Sequence, residues 1–215
     1  MKGISLLEQY HADFNVLTVV THELSKHPEA LFNFYHQHHF NYIQLIPCLP
    51  DLYKTEKDLS LTPEDYASFY MKFFDYWKKD LRQGGQISVS FFENLACLLQ
   101  GMPPYQCGYN GRCTIQLVVE SNGDVYPCDF YCLDEERLGN LGSSGISELL
   151  QCAKAISFLK NSNCKKKTCQ SCRFIRICNG GCRRQNVCWL TDDMCAYQNV
   201  LAYILPQISS MLQRR

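Results

Sequence analysis

The chain has 215 residues, with 21 basic and 21 acidic side chains and therefore a formal net charge of zero. This balance gives no electrostatic reason to expect nucleic acid or an acidic membrane surface as a partner. No apolar run is long enough to span a bilayer, and the N-terminal segment turns polar before a signal-peptide core can form, so we expect a cytoplasmic protein. Its 14 cysteines are therefore expected to be reduced thiols or metal ligands rather than disulfides.

Residues 1–50 predict alternating helices and strands. A short helix over residues 4–10 precedes a β-branched strand, Phe14–Val20, and Pro28 then begins a second helix. The apolar face predicted for that second helix consists of Leu31, Phe34, Tyr35 and His38. Tyr42–Pro47 is the next buried strand, and the order strand–helix–strand is typical of a parallel βαβ unit. Because two strands do not make a stable sheet, we expect this unit to be the end of a larger one.

Residues 51–104 predict a helical connector. Thr62 is the expected N-cap of a long helix, with Pro63 in its first turn and Asp65 closing a capping box. Aromatic side chains then follow at helical spacing and predict a packed face: Tyr66, Phe69, Tyr70, Phe73, Phe74 and Trp77. A further helix over residues 91–99 precedes a linker at residues 101–104, where we place a domain boundary.

Cysteine dominates residues 105–215. Cys107 and Cys113 precede a strand over residues 114–120, and an Asn-Gly turn leads into a return strand that ends at Cys128 and Asp129. One amphipathic helix is predicted over residues 146–160, and a C-terminal helix over residues 197–213 is predicted to be interrupted by Pro206.

The segment CQSCRFIRICNGGC, which runs from Cys169 to Cys182, has the spacing C-x2-C-x5-C-x3-C. A close CxxC pair brings two sulfurs onto one centre, as zinc and iron–sulfur sites require. Together with Cys107, Cys113, Cys128 and a later Cys195, this segment provides eight thiols, enough for two four-ligand sites. The spacing leaves open both the metal and the cysteine that crosses from the second group to complete the first site.

CGYNGRC, GDVYPCD and CQSCRFIRICNGGC, followed by a later cysteine, resemble the SPASM domain of radical SAM enzymes. The likeness is closest to the anaerobic sulfatase-maturating enzymes. FNVLTVV and YIQLIPC resemble the fifth and sixth strands of that family's partial (β/α)6 barrel. The resemblance therefore implies an α/β protein in which residues 1–50 end a radical SAM barrel, residues 51–104 connect, and residues 105–215 form a small α+β SPASM domain.

The resemblance also implies ligands for two auxiliary [4Fe–4S] clusters and a catalytic base. The first cluster would be held by Cys107, Cys113, Cys128 and Cys182, and the second by Cys169, Cys172, Cys178 and Cys195. Asp129 matches the acidic residue that serves the family as base at the oxidised substrate carbon. Six cysteines have no assigned role and are expected to be ordinary thiols: Cys48, Cys97, Cys132, Cys152, Cys164 and Cys188.

The function that the resemblance implies is that of the C-terminal part of a maturase, which oxidises a sulfatase Cys or Ser to formylglycine. The full family enzyme uses S-adenosylmethionine, a third [4Fe–4S] cluster and an electron donor such as flavodoxin or ferredoxin. The C-x3-C-x2-C motif that holds this third cluster is absent here, so we expect the chain alone not to cleave S-adenosylmethionine. The alternatives are a fragment of a peptide-modifying relative, a stand-alone electron-transfer or scaffold protein, and a structural zinc protein.

Overall fold

A computed structural model describes residues 2–50, 59–162 and 166–213, so Cys164 and the first residues of the predicted connector lie outside it. Its helices, in chain order, are α1 (Lys2–Gln9), α2 (His22–Ser25), α3 (Pro28–Gln37), α4 (Pro63–Arg82), α5 (Ser90–Leu99), α6 (Ile146–Gln151), α7 (Ala153–Lys160), α8 (Lys167–Gln170), α9 (Ile175–Cys178) and α10 (Ala196–Leu212). Its strands are β1 (Val16–Val20), β2 (Tyr42–Pro47), β3 (Ser88–Val89), β4 (Val118–Val119), β5 (Asp124–Tyr126) and β6 (Gly139–Asn140).

The chain divides into two compact units. The first comprises Met1–Pro103 and Cys188–Arg215, and the second comprises Pro104–Val187. The three-part domain division expected from the sequence remains a prediction. None of the described helices is long and apolar enough to cross a membrane.

The first unit contains a parallel sheet in the order β1-β2-β3. β1 pairs with β2 from Val16 opposite Ile43 to Val20 opposite Pro47, which confirms the predicted parallel βαβ unit. β3 was not predicted, because it contains two residues and merges directly into α5. It pairs with the beginning of β2, so β2 has a neighbour on each side.

The buried face of α3 differs from the predicted one. Leu31, Phe32 and Tyr35 are buried, whereas Phe34 is 43% exposed. His38 lies beyond the last turn as the C-cap, and the ring of Phe34 packs against it with a centroid distance of 4.5 Å. The helix ends too early for His38 to continue an apolar stripe, so that part of the prediction is wrong.

The long helix α4 begins as predicted. The Thr62 hydroxyl accepts a hydrogen bond from the Asp65 N–H, and the Asp65 carboxylate accepts one from the Thr62 N–H. The predicted aromatic face is buried along its whole length.

α10 packs against α4 and α5 and runs through Pro206 without a break, contrary to the predicted interruption. Side chains buried on both sides of the proline hold this helix together: Val200, Leu201, Ile204, Leu205 and Ile208.

The second unit is built on a short antiparallel sheet in the order β4-β5-β6. β4 is much shorter than the predicted strand over residues 114–120, because Leu117 has a left-handed φ of 52° that interrupts the extended run.

The predicted helix over residues 146–160 is in fact two helices. Cys152 adopts an extended conformation between them, and its Sγ accepts a hydrogen bond from the Ala155 N–H at 3.4 Å, which begins α7 anew.

Candidate iron–sulfur site

The four cysteines predicted to form the first set lie in turns around the second unit's sheet. Cys107 begins a 3-10 helix, Cys107–Tyr109, and Cys113 follows four residues later. Cys128 comes two residues after β5 and is the N-cap of a second 3-10 helix, Asp129–Tyr131. Cys182 follows Gly180 and Gly181, which both have positive φ. These four cysteines therefore lie outside the strands and α-helices of the second unit.

The loop containing Cys107 lies directly against the segment containing Cys182. The Asn179 side-chain N–H donates to the Tyr109 carbonyl at 2.9 Å. A Cβ built on Gly108 would lie 3.4 Å from the Cys182 Cβ, and one built on Gly111 would lie 2.6 Å from the Asn179 Cβ. A Cβ at Gly108 would make an ordinary van der Waals contact, whereas one at Gly111 would clash. Glycine at position 111 therefore permits this approach between two segments that are about seventy residues apart in sequence.

Replacing Gly111 by alanine should lower the stability of the second unit and its ability to hold iron. Gly111 has a φ of +67°, and the added Cβ would clash with the backbone and Cβ of Asn179, which cannot rotate away. The matched control is Gly84→Ala, where φ is +86° and nothing lies within 4 Å. Gly84→Ala should lower the free energy of unfolding by about 1–2 kcal/mol, because alanine is strained in the left-handed conformation, and Gly111→Ala should lower it by more. Urea unfolding and iron analysis measure both effects, and equal losses in the two variants would contradict the prediction.

The thiols of the first set influence one another electrostatically. Burial raises the pKa of Cys107, and the charges of Cys182 and Asp129 raise it further. Burial raises the pKa of Cys128 to about 12, with Asp129 and Cys182 acting in the same direction. Burial also raises the pKa of Tyr131, and the charges of Cys182 and Cys113 add to this effect. Cys107 and Cys128 therefore both lie within electrostatic range of Cys182, and Tyr131 lies within that range of Cys182 and Cys113.

Asp129 is exposed beside the first set. Its Oδ1 accepts hydrogen bonds from the Phe130 N–H at 3.1 Å and from the Cys128 thiol at 3.2 Å. The Cys132 thiol, to which the sequence assigned no role, donates to the Cys128 carbonyl at 3.7 Å. The carboxylate predicted as a base is therefore next to a predicted ligand and open to solvent on its outer side.

Three cysteines of the second set, Cys169, Cys172 and Cys178, lie in the second unit. Cys169 and Cys178 are buried and Cys172 is half-buried, on the turns formed by α8 and α9. The Gly180 N–H donates to the Cys178 Sγ at 3.5 Å. Cys195 belongs to the other compact unit, where it is the N-cap of α10 and forms a β-bridge with Leu190. Its assignment to the second set remains a prediction.

The donors of the first set are cysteine thiols, the ligand type that iron–sulfur clusters use. Among residues 2–50, 59–162 and 166–213, no three His, Cys, Asp or Glu side chains converge closely enough to hold one metal ion. A four-iron cluster binds each thiolate through a different iron, so its ligands lie further apart than those of one ion. Thiolates that are costly to form in isolation, as the raised pKa values show, are stabilised when cationic iron binds them.

Comparisons with known proteins place the chain in a defined class. Residues 107–173 match SPASM, an iron–sulfur cluster-binding domain. The chain is 38% identical over 185 residues to the Cysteine-type anaerobic sulfatase-maturating enzyme of Clostridium perfringens, covering 85% of this chain and 50% of that enzyme. It is 27% identical over 200 residues to the Serine-type anaerobic sulfatase-maturating enzyme of Bacteroides thetaiotaomicron, covering 85% of this chain and 48% of that enzyme.

Solved structures agree with these relatives. The structure of native anSMEcpe with bound AdoMet and Kp18Cys peptide matches with a TM-score of 0.88 and 34% identity, covering 100% of this chain and 61% of that one. The protein is thus a mixed α/β, SPASM-domain iron–sulfur protein. More narrowly, its curated relatives are anaerobic sulfatase-maturating enzymes, and it spans about half the length of those it matches.

Proposed function

We propose that this chain is the auxiliary-cluster part of an anaerobic sulfatase maturase and that it holds two [4Fe–4S] clusters. The observation that carries the proposal is that two parts of the matched SPASM domain lie near Cys182, which follows that domain in sequence. One is the loop containing Cys107, and the other is the Cys128–Asp129 pair. The first cluster would use Cys107, Cys113, Cys128 and Cys182. The second would use Cys169, Cys172, Cys178 and Cys195.

The proposed substrate is a peptide segment of a sulfatase, and the product is formylglycine. A 5′-deoxyadenosyl radical takes one hydrogen atom from the Cβ of a Cys or Ser. One proton from the thiol or hydroxyl and one electron must then leave, which gives a thioaldehyde or an aldehyde. Water hydrolyses the thioaldehyde to formylglycine and hydrogen sulfide, whereas serine yields formylglycine directly.

Asp129 is the proposed acceptor of that proton. It is exposed, and the Phe130 N–H orients its carboxylate through Oδ1. When Cys128 binds iron as a thiolate it no longer donates to Asp129, so the carboxylate gains an acceptor position beside the site. The bound clusters would supply the acceptor for the electron that leaves with the proton.

The remaining parts of the proposal follow from the same relatives. The parallel strands β1, β2 and β3 with α3 would form the last part of a partial (β/α)6 barrel. S-adenosylmethionine would bind through a third cluster, whose C-x3-C-x2-C motif this sequence does not contain. Flavodoxin or ferredoxin would supply electrons, and the protein would act in the cytoplasm.

A chimaera tests this function directly. The segment of the Clostridium perfringens relative that aligns with this chain is replaced by the full chain, and the hybrid is reconstituted anaerobically with iron and sulfide. We expect it to convert a cysteine-containing sulfatase peptide to the formylglycine form, detected by mass spectrometry. Replacing Asp129 by asparagine in the hybrid should lower peptide oxidation by at least ~100-fold, as loss of a general base does, while iron content stays unchanged.

Two measurements separate the possible failures. Formation of 5′-deoxyadenosine shows that the relative's half of the hybrid works, so a hybrid that makes it without oxidising peptide would contradict the proposed function. An Asp129→Asn hybrid that oxidises peptide at the unchanged rate would remove Asp129 from the chemistry and leave the cluster assignment standing.

A further inference from the structure

Arg183, which directly follows Cys182, lies against two aromatic rings of the second unit. Its guanidinium carbon lies 4.4 Å from the centre of the Tyr131 ring and 4.2 Å from the centre of the Phe158 ring. These rings contact each other edge to face, with centroids 5.5 Å apart. Cation–π contacts with both rings, which already pack on each other, therefore fix the position of the Arg183 guanidinium.

The charge of Arg183 has no anionic partner among the described residues. Its Nη1 donates to the Asn161 carbonyl at 3.3 Å, but its Nε and Nη2 are buried and have no hydrogen-bond acceptor in the described part of the chain. No carboxylate in that part forms an ion pair with it. Burying such donors costs free energy unless an acceptor is present, so the arrangement points to an anionic group that completes it.

A cluster bound by the predicted first set would supply that anionic group. Tyr131, on which Arg183 stacks, belongs to the 3-10 helix that follows Cys128 and lies within electrostatic range of Cys113 and Cys182. Four thiolates around a [4Fe–4S] core leave the bound site with a net negative charge. A fixed cation at its edge would lower the cost of that charge, and N–H groups directed at sulfur are a known way to adjust a cluster.

We propose that Arg183 is the charge-compensating residue of the first cluster and that it raises the cluster's reduction potential. This inference rests on the proposed function, because it requires the first cluster to be bound. Reduction adds one electron to a site that is already negative, and a partly buried guanidinium favours the more negative state. A higher potential makes the site a better acceptor for the electron that substrate oxidation releases.

The test is a redox titration of the reconstituted full chain with dithionite, followed by electron paramagnetic resonance. The signal that disappears in Cys182→Ala identifies the first cluster. Arg183→Gln should shift the midpoint potential of that signal to more negative values, and Arg183→Lys should keep it close to the wild-type value. The matched control is Arg112→Gln, since Arg112 also adjoins a predicted first-set ligand, Cys113, but is exposed to solvent and screened.

Each outcome decides the inference. Equal potentials for Arg183→Gln and the wild type would overturn it, as would an equal shift in Arg112→Gln. If the Arg183→Gln variant does not bind the first cluster, the Arg183→Lys variant is compared instead. Binding of the first cluster by the Arg183→Lys variant supports charge compensation. Failure of that variant to bind it shows a packing role for Arg183 and contradicts the proposal. A wild-type chain without a first cluster would instead overturn the proposed function.

Discussion

Replacing Cys182 by alanine is expected to remove about half of the iron, from about eight to about four atoms per chain, because one of two [4Fe–4S] clusters is lost. The cysteine follows three others in one short segment, and its spacing leaves open whether it binds with them or completes the first site. The structure instead places its Cβ beside Gly108, and its charge raises the pKa of Cys107 and Cys128. The loss should therefore fall on the first cluster.

Iron and sulfide analysis with electron paramagnetic resonance measures this loss after anaerobic reconstitution. The control is Cys97→Ala, since Cys97 lies in α5 of the other unit and has no predicted ligand role. That variant should keep its full iron content. Cys107→Ala should abolish the same signal as Cys182→Ala, and loss of different signals in these two variants would contradict the proposed ligand set. Stoichiometric zinc in place of iron would overturn the cluster assignment altogether.

Removing the clusters is expected to unfold the second unit while the first unit stays folded. The second unit has strands of two or three residues and a small buried apolar cluster formed by Val125, Leu138, Leu149 and Ala155. A core of this size contributes little free energy of folding, as in other small domains that depend on bound metal. Ligand bonds from turns far apart in sequence would supply the missing stabilisation.

The first unit provides an internal control in the same molecule. Phe69, Phe73, Phe74 and Phe92 are completely buried there, and burial of each such side chain is worth about 1.5–3 kcal/mol. Hydrogen exchange on holo protein and on protein treated anaerobically with an iron chelator measures both units at once. Amides of residues 104–187 should lose protection after chelation, whereas those of α4 and α5 should keep it. Equal protection of residues 104–187 in the two forms would contradict the prediction.

The amino-acid sequence determined the local features of this protein, because those depend on residues a few positions apart. The capping box at Thr62, the aromatic face of α4 and the parallel strands around α3 follow from short-range periodicity and hydrogen bonding. The cysteine spacings indicated two sites for the same reason. The predictions from sequence that proved wrong were also local. The left-handed Leu117 interrupts the strand predicted over residues 114–120, and the extended Cys152 divides the helix predicted over residues 146–160.

Only the tertiary structure decided which distant groups meet. Cys107 and Cys182 are separated by more than seventy residues, and nothing in their spacing requires contact. Their segments meet because Gly111 leaves room for Asn179 and because Asn179 caps the Tyr109 carbonyl. The position of Arg183 against Tyr131 and Phe158 arises in the same way, since these rings come from two other segments of the second unit. Such contacts depend on packing of the whole unit, which no short window of sequence records.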